Sequence, residues 1–339
     1  MSIDTGSQNM GAEKGAELSK EAQMGVLGIE TSDREIPRID LGDFERRKVS
    51  ITEELWAAAT DIGFFQVVNH GIAAEDTRKA FAMTEAFFAL PDSEKAKHPL
   101  VKKLNSGWES RAQVRPSTGT ADEKESYQIT RPHMEALELW PSPEALPEFK
   151  ETMLAFEAKA WAVAMKILSC FADRLKFPGD FFTRAHDPSV PAYQSTLRLL
   201  HYFAIDPAHR ERAGLWRAGA HTDWDCLTLL FQQPGQGGLQ VCPGKDQAAR
   251  LWTPIEPAEG VITCNIGDML MRWSDDQLQS TFHRVKTPGP GEYQGARYSL
   301  AFFAQANRDA IVEGPARKYE PITAEDYLAW RINANFTKY

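Results

Sequence analysis

The chain has 339 residues, of which 42% are hydrophobic and 25% charged, and its formal net charge is −9. An acidic chain without a basic stripe has little to neutralise phosphates with, which argues against nucleic acid and anionic membranes as partners. It contains no apolar run long enough for a transmembrane helix and no signal-peptide pattern at its N-terminus, so we expect a cytoplasmic protein.

The chain contains four cysteines, which lie at positions 170, 226, 242 and 264. They form neither a CxxC pair nor a zinc-ribbon spacing. We therefore expect reduced thiols, in keeping with a cytoplasmic protein. A chain of this length can bury a large core, and one large domain with added helices fits it best.

The first part of the chain mixes helices and strands. Residues 1–34 are polar and rich in Gly, Ser, Glu and Lys, which predicts a disordered or loosely packed arm. The apolar spacing then predicts an edge strand over 36–41, helices over 52–62 and 74–90, a buried strand over 64–68, and a long amphipathic helix over 151–175. The polar stretch 102–131 is predicted to be irregular.

From position 195 the pattern changes to short apolar runs separated by Gly and Pro. The predicted strands cover 196–203, 218–223, 227–232, 238–242, 252–255, 261–266, 281–286 and 297–304. Eight such strands are typical of an antiparallel jelly-roll, in which two sheets face each other. Thr323 is predicted to cap a helix over 324–333.

These elements divide the chain into four parts. The arm over 1–34 is followed by a helix and strand region over 35–194 that packs on the core. The jelly-roll core covers 195–310, and a helical tail covers 311–339. The sequence carries no feature that fixes an oligomeric state.

Two histidines and one aspartate have the spacing of metal ligands. His221 and Asp223 stand two apart, and side chains at i and i+2 of an extended strand point the same way. His283, in a later strand, could supply a third ligand. Two imidazoles and one carboxylate on one side of an ion leave its other positions open, as in non-haem Fe(II) oxygenases. A bare His-x-Asp pattern arises often by chance, and unrelated side chains are the alternative interpretation.

Arg297 and Ser299 repeat the same i, i+2 spacing downstream of a Pro- and Gly-rich turn. A guanidinium group binds a carboxylate with two parallel hydrogen bonds, and a hydroxyl on the same strand face can donate a further one. The pair therefore predicts an anion site. We expect its strand and the His283 strand to form one hairpin. A solvated arginine with a filler serine is the alternative.

With these motifs, the chain resembles the 2-oxoglutarate/Fe(II)-dependent dioxygenases, in the branch similar to isopenicillin N synthase and the plant flavonoid oxygenases. The resemblance covers most of the chain and is also carried by DIGFFQVVNHG at 61–71, GGLQV at 237–241, NIGD at 265–268 and STFHRV at 280–285. It implies a mainly β fold with flanking helices, built on a double-stranded β-helix (jelly-roll) core.

The resemblance also implies roles for individual residues. His221, Asp223 and His283 would hold Fe(II), and Arg297 and Ser299 would bind the distal carboxylate of 2-oxoglutarate. Tyr202 aligns with a tyrosine near the co-substrate, although an aromatic residue in a strand is as often part of the core. Many relatives carry asparagine two residues before that tyrosine, where this chain has Leu200.

The implied reaction uses O2 to oxidise a small organic molecule, as in secondary metabolism, while 2-oxoglutarate is decarboxylated to succinate. Hydroxylation is the expected outcome, and desaturation or ring closure stays open. One alternative is an Fe(II) oxidase of the isopenicillin N synthase type, which retains an Arg-x-Ser pair without using 2-oxoglutarate. Another is a non-catalytic jelly-roll that serves as a binding protein.

Candidate substrate contacts come from two places. Ala301 and Phe303 share the strand face of Ser299. The polar segment before the long helix adds Arg111, Arg115, Tyr127 and Gln128. For Arg111 and Arg115, a position in a solvated loop is the alternative interpretation.

Overall fold

The computed structural model describes residues 28–30, 34–113, 121–205 and 216–336. The arm expected over 1–34 therefore lies almost wholly outside the described residues, and so does Arg115. Within the described residues, no helix combines the length and the apolar content needed to cross a bilayer.

Two β-sheets form the centre of the fold. Their strands, with a further short pair near the C-terminus, are β1 (Ile29–Glu30), β2 (Arg38–Asp40), β3 (Phe64–Val68), β4 (Gly107–Ser110), β5 (Lys124–Ile129), β6 (Thr196–Tyr202), β7 (Ala218–His221), β8 (Leu227–Gln232), β9 (Leu239–Cys242), β10 (Leu251–Ile255), β11 (Ile262–Ile266), β12 (Phe282–Val285), β13 (Arg297–Ala304), β14 (Ile311–Val312) and β15 (Ile322–Thr323). One sheet runs β2-β3-β11-β8-β13-β6-β5-β4 and the other β1-β10-β9-β12-β7.

The two sheets face each other across a small apolar core. Leu200, Tyr202 and Ala301 from the eight-stranded sheet pack with Leu239 and Val285 from the five-stranded sheet. The predicted jelly-roll is therefore confirmed.

The described residues form eight α-helices, of which the three longest cover the outer face of the eight-stranded sheet. They are α1 (Phe44–Asp61), α2 (Ala74–Phe88), α3 (Asp92–Lys95), α4 (Arg131–Met134), α5 (Phe149–Leu175), α6 (Phe181–Ala185), α7 (Asp268–Trp273) and α8 (Ala324–Phe336). Phe156 of α5 packs on Phe231 of β8, with ring centroids 4.8 Å apart. Because this sheet is buried on both faces, strands such as β13 are apolar almost throughout, apart from the residues that serve the site.

The segment 102–131 was expected to be irregular, and this prediction is wrong, since it contains β4 and β5. Its polar residues are compatible with a buried strand because they have partners. Glu125, which is 3% exposed, accepts hydrogen bonds from Lys95 Nζ at 2.7 Å and from Trp108 Nε1 at 2.8 Å. A buried charge that is paired in this way is tolerated.

The hairpin expected between the His283 strand and the Arg297 strand is also wrong. β12 pairs with β7 and β9, whereas β13 pairs with β6 and β8. Strands β12 and β13 follow one another in sequence, yet they lie in opposite sheets. The anion motif therefore faces the metal motif from the other sheet.

Gly63, between α1 and β3, is required by its surroundings. Its φ is +75°, and a Cβ there would lie 2.0 Å from the carbonyl oxygen of Gln279. Gly260 has a similar φ of +69°, but no atom lies within 4 Å of its virtual Cβ. The two glycines therefore separate the cost of backbone conformation from the cost of crowding.

We expect Gly260→Ala to lower the free energy of unfolding by about 1–2 kcal/mol, the cost of a left-handed conformation for an L-residue. Gly63→Ala should cost a further ~1–3 kcal/mol, because the added methyl forces the backbone of Gln279 to move. Urea unfolding of both variants measures the difference. Equal losses would contradict this account of Gly63.

Candidate metal centre and co-substrate site

The antiparallel pairing of β7 and β12 brings two histidines together. His283 lies directly opposite His221, and their ring centroids are 4.3 Å apart. Asp223 follows two residues after His221, just beyond the end of β7. One ligand atom from each of the three residues lies within 4.8 Å of the others, close enough for one ion to reach all three.

Both imidazole rings are oriented by backbone carbonyls. Nδ1 of His221 lies 2.7 Å from the oxygen of Gly219, and Nδ1 of His283 lies 3.2 Å from the oxygen of Thr281. Because a carbonyl only accepts, each Nδ1 carries the proton and each Nε2 keeps its lone pair. This is the tautomer in which a histidine can bind a metal through Nε2, and such backbone contacts also fix the ring orientation.

The Asp223 carboxylate has one oxygen held by the protein and one directed at the histidines. Oδ2 accepts hydrogen bonds from Thr228 Oγ1 at 2.7 Å and from Asn265 Nδ2 at 2.9 Å. Oδ1 lies 3.8 Å from Nε2 of His221 and 3.6 Å from Nε2 of His283. The three residues therefore fit one divalent ion, and Oδ1 is the oxygen that Asp223 offers to it.

Arg297 lies at the start of β13 and is fully buried. Its guanidinium donates from Nη2 to Gln232 Oε1 at 2.8 Å and from Nε to the oxygen of Gln236 at 3.0 Å, and Nη1 lies 3.4 Å from Ser299 Oγ. Within the described residues, no carboxylate lies at ion-pair distance from it. Burial lowers the pKa of Arg297 below its ordinary value.

Strand register places Tyr202 directly opposite Arg297 and Leu200 opposite Ser299. The guanidinium carbon of Arg297 lies 4.8 Å from the centre of the Tyr202 ring. All four side chains share the face between the sheets. Leu200 gives this part of the site an apolar wall, and its side chain can form no hydrogen bond.

Arg217, which the sequence motifs did not single out, lies beside this cluster. It is 1% exposed, and its Nη2 donates to the oxygen of Gly295 at 2.5 Å. Burial, and then repulsion from Arg297, lowers the pKa of Arg217 to about 10, so it stays charged near neutral pH. Two buried cations therefore lie at this end of the site.

The expected substrate contacts are divided by the sheet. Phe303 and Ala301 lie on the inner face with Ser299, and Arg198 lies opposite Ala301. The guanidinium carbon of Arg198 is 5.0 Å from the centre of the Phe303 ring. Gln128 pairs with Arg198 across the strands, so it also points inward, where its Nε2 donates to Glu109 Oε1 at 3.1 Å.

The prediction for Tyr127 is wrong. Strand alternation turns its side chain to the outer face of the sheet, where its ring centroid lies 4.3 Å from that of Phe87 and its hydroxyl donates to the oxygen of Leu139. Arg111 is exposed at the end of β4, with its Nε 3.1 Å from Glu123 Oε2. The structure thus gives Arg111 a surface ion pair, as the solvated interpretation expected.

Four polar residues of the site were not predicted as site residues: Thr228, Asn265, Arg217 and Arg198. Asn265 lies in the NIGD segment that carries the resemblance, which was a usable signal. Thr228 sits in an apolar strand with no motif around it. The role of Thr228 in the site follows only from the pairing of β8 with β11, which places Asn265 opposite Thr228.

Two family models match the chain. A model described as the N-terminal part of a non-haem dioxygenase in morphine synthesis matches residues 36–143. A model described as the 2OG-Fe(II) oxygenase superfamily matches residues 193–306, which include the histidine pair, Asp223, Arg297 and Ser299.

Proteins with related names are similar to this chain over most of their length. Proline hydroxylase buaE of Petromyces alliaceus is 31% identical over 320 residues, which cover 88% of this chain and 97% of that protein. The 2-oxoglutarate-Fe(II) type oxidoreductase hxnY of Emericella nidulans is 31% identical over 307 residues, 83% of each chain.

Among solved structures, a full-length Neurospora crassa protein in complex with alpha-KG and thymine is similar with a TM-score of 0.79 and 29% identity, covering 90% of this chain and 98% of that one. The family models and the relatives agree with the geometry of the two motifs. This chain belongs to the 2OG-Fe(II) oxygenase superfamily and is a 2-oxoglutarate-dependent dioxygenase.

Proposed function

We propose that the protein holds Fe(II) through His221, Asp223 and His283 and hydroxylates a small organic molecule. In this reaction O2 is consumed and 2-oxoglutarate is decarboxylated to succinate. The observation that carries the proposal is Arg297, a fully buried cation with neutral partners that faces the same inter-sheet space as the three candidate ligands. A bound anion would stabilise a buried cation of this kind.

The metal assignment is supported by the donor set. Two Nε2 atoms with free lone pairs and one carboxylate oxygen on one side of an ion leave positions open for a co-substrate and O2. When bound, the ion supplies the oxidising chemistry, and the protein supplies orientation and a dry pocket. Thr228 and Asn265 keep Asp223 Oδ2 occupied, which favours binding through Oδ1.

The co-substrate assignment is supported by the cationic end of the site. Arg297 would bind the distal carboxylate of 2-oxoglutarate through its guanidinium fork, with Ser299 Oγ and the Tyr202 side chain beside it. Arg217 would add positive potential that favours a dianion over a neutral molecule.

The alternative of an Fe(II) oxidase without 2-oxoglutarate receives less support. An Arg-x-Ser pair is common to both classes, so it does not separate them. The relatives named as 2-oxoglutarate enzymes favour the main proposal. Formation of succinate with substrate oxidation would separate the two.

For the substrate, we propose a small organic molecule with a flat polar group. Phe303 offers a ring face, and Arg198 and Gln128 offer polar contacts on the same side of the sheet. The relatives include a protein named as a proline hydroxylase and the Neurospora crassa protein solved with thymine, so both names point to small molecules. We also propose a cytoplasmic location and no nucleic-acid or membrane partner, in line with four free cysteines and a net charge of −9.

We expect His221→Ala and His283→Ala to abolish iron retention and turnover while the fold persists, because the jelly-roll core does not depend on the ion. Iron content by elemental analysis, measured beside circular dichroism, checks both statements. Full activity in either variant would overturn the ligand assignment.

Arg297→Leu should weaken 2-oxoglutarate binding by at least ~10-fold, since a charged hydrogen bond contributes about 1.5–3 kcal/mol. The measurement is anaerobic equilibrium binding of 2-oxoglutarate to the Fe(II)-loaded protein. Arg284→Leu is a matched control: Arg284 is also buried, but it stacks on Trp252 outside the site. An unchanged affinity in Arg297→Leu would show that the anion site is wrongly assigned.

A further inference from the structure

Arg331, in the C-terminal helix α8, makes a buried ion pair with Asp268 at the start of α7. Its Nη2 lies 2.7 Å from Asp268 Oδ2, and the two side chains are 6% and 3% exposed. Surface ion pairs contribute little to stability, but removing one partner of a buried pair leaves an uncompensated charge. Loss of Arg331 would therefore also disturb the groups to which Asp268 is hydrogen-bonded.

Asp268 holds the turn that carries two of the candidate metal ligands. Its backbone N–H donates to the oxygen of Asp223 at 2.8 Å. Its Oδ2 accepts from Oγ1 of Thr222, the residue between His221 and Asp223, at 3.0 Å. The turn is thus fixed through its backbone on one side and through a side chain on the other.

Charge makes this arrangement depend on Arg331. Asp223, Asp225 and Asp268 lie near one another around this turn, and the Asp225 and Asp268 side chains are both buried. Arg331 brings a positive charge into direct contact with Asp268. Without it, the Asp268 carboxylate would face the other acids uncompensated and would turn toward water and away from Thr222.

We propose that Arg331 is a positioning residue for the metal centre, through which docking of the C-terminal helix sets the affinity for the metal. The inference rests on the proposed function, because it presumes that His221, Asp223 and His283 bind an ion. Partners that orient metal ligands typically change metal affinity by about 10–100-fold when they are removed.

The test is the anaerobic dissociation constant for Fe(II) alone, measured on the full chain by competition with a chromogenic chelator, with thermal unfolding recorded in parallel. Arg331→Met should weaken Fe(II) binding by ~10-fold. Asp268→Asn added to Arg331→Met should recover most of the loss, because a neutral amide still accepts from Thr222 without needing a cation. Arg272→Met is the matched control. Arg272 is also a buried arginine, but it lies in α7 and donates a hydrogen bond to the oxygen of Glu320. This substitution should leave Fe(II) affinity unchanged.

Thr222→Val breaks the same connection at its other end and leaves the ion pair in place, so it decides the matter even if Arg331→Met does not fold. A folded Thr222→Val or Arg331→Met protein with wild-type Fe(II) affinity would overturn the inference. Failure of the wild-type chain to bind Fe(II) would instead overturn the proposed function.

Discussion

The site depends on how the Asp223 carboxylate is held between the two sheets. Asp223 follows β7, the edge strand of the five-stranded sheet. Its Oδ2 nevertheless accepts hydrogen bonds from Thr228 and Asn265, which lie on adjacent strands of the eight-stranded sheet. This leaves Oδ1 facing the two Nε2 atoms, whose tautomers are set by backbone carbonyls. A carboxylate free to rotate would offer either oxygen and would lose conformational entropy on binding an ion.

The opposite sheet supplies the other half of the chemistry. The successive strands β12 and β13 lie in facing sheets, so β12 brings a candidate metal ligand and β13 brings Arg297 to the same interior space. Burying Arg297 without an acidic partner among the described residues costs stability, which an anionic co-substrate would offset on binding. Under the proposed function, a dicarboxylate would therefore lie between a metal centre and a cation.

Much of this was predictable from local sequence. The i, i+2 spacing of His221 with Asp223 and of Arg297 with Ser299 specifies a shared face, and strands β8 and β13 have the predicted bounds. Strand pairing was not predictable, because it depends on contacts between distant segments. The expected hairpin was wrong for this reason. The expectation for Tyr127 was wrong because strand alternation puts Tyr127 and its neighbour Gln128 on opposite faces, and only the packing of the sheet shows that Gln128 is the one that points inward. Strands β4 and β5 were missed because buried polar residues such as Glu125 interrupt the apolar pattern. The hydrogen-bond partners that allow Glu125 to be buried lie far away in the sequence.

The central claim is that one interior site holds both Fe(II) and 2-oxoglutarate. Its most direct test is an anaerobic titration of the Fe(II)-loaded protein with 2-oxoglutarate, followed by the weak visible absorption band that a keto acid gives when it chelates Fe(II). The account predicts that the band appears and saturates. If the band is absent while iron is demonstrably bound, the claim is contradicted, and an Fe(II) oxidase that works without 2-oxoglutarate becomes the better description.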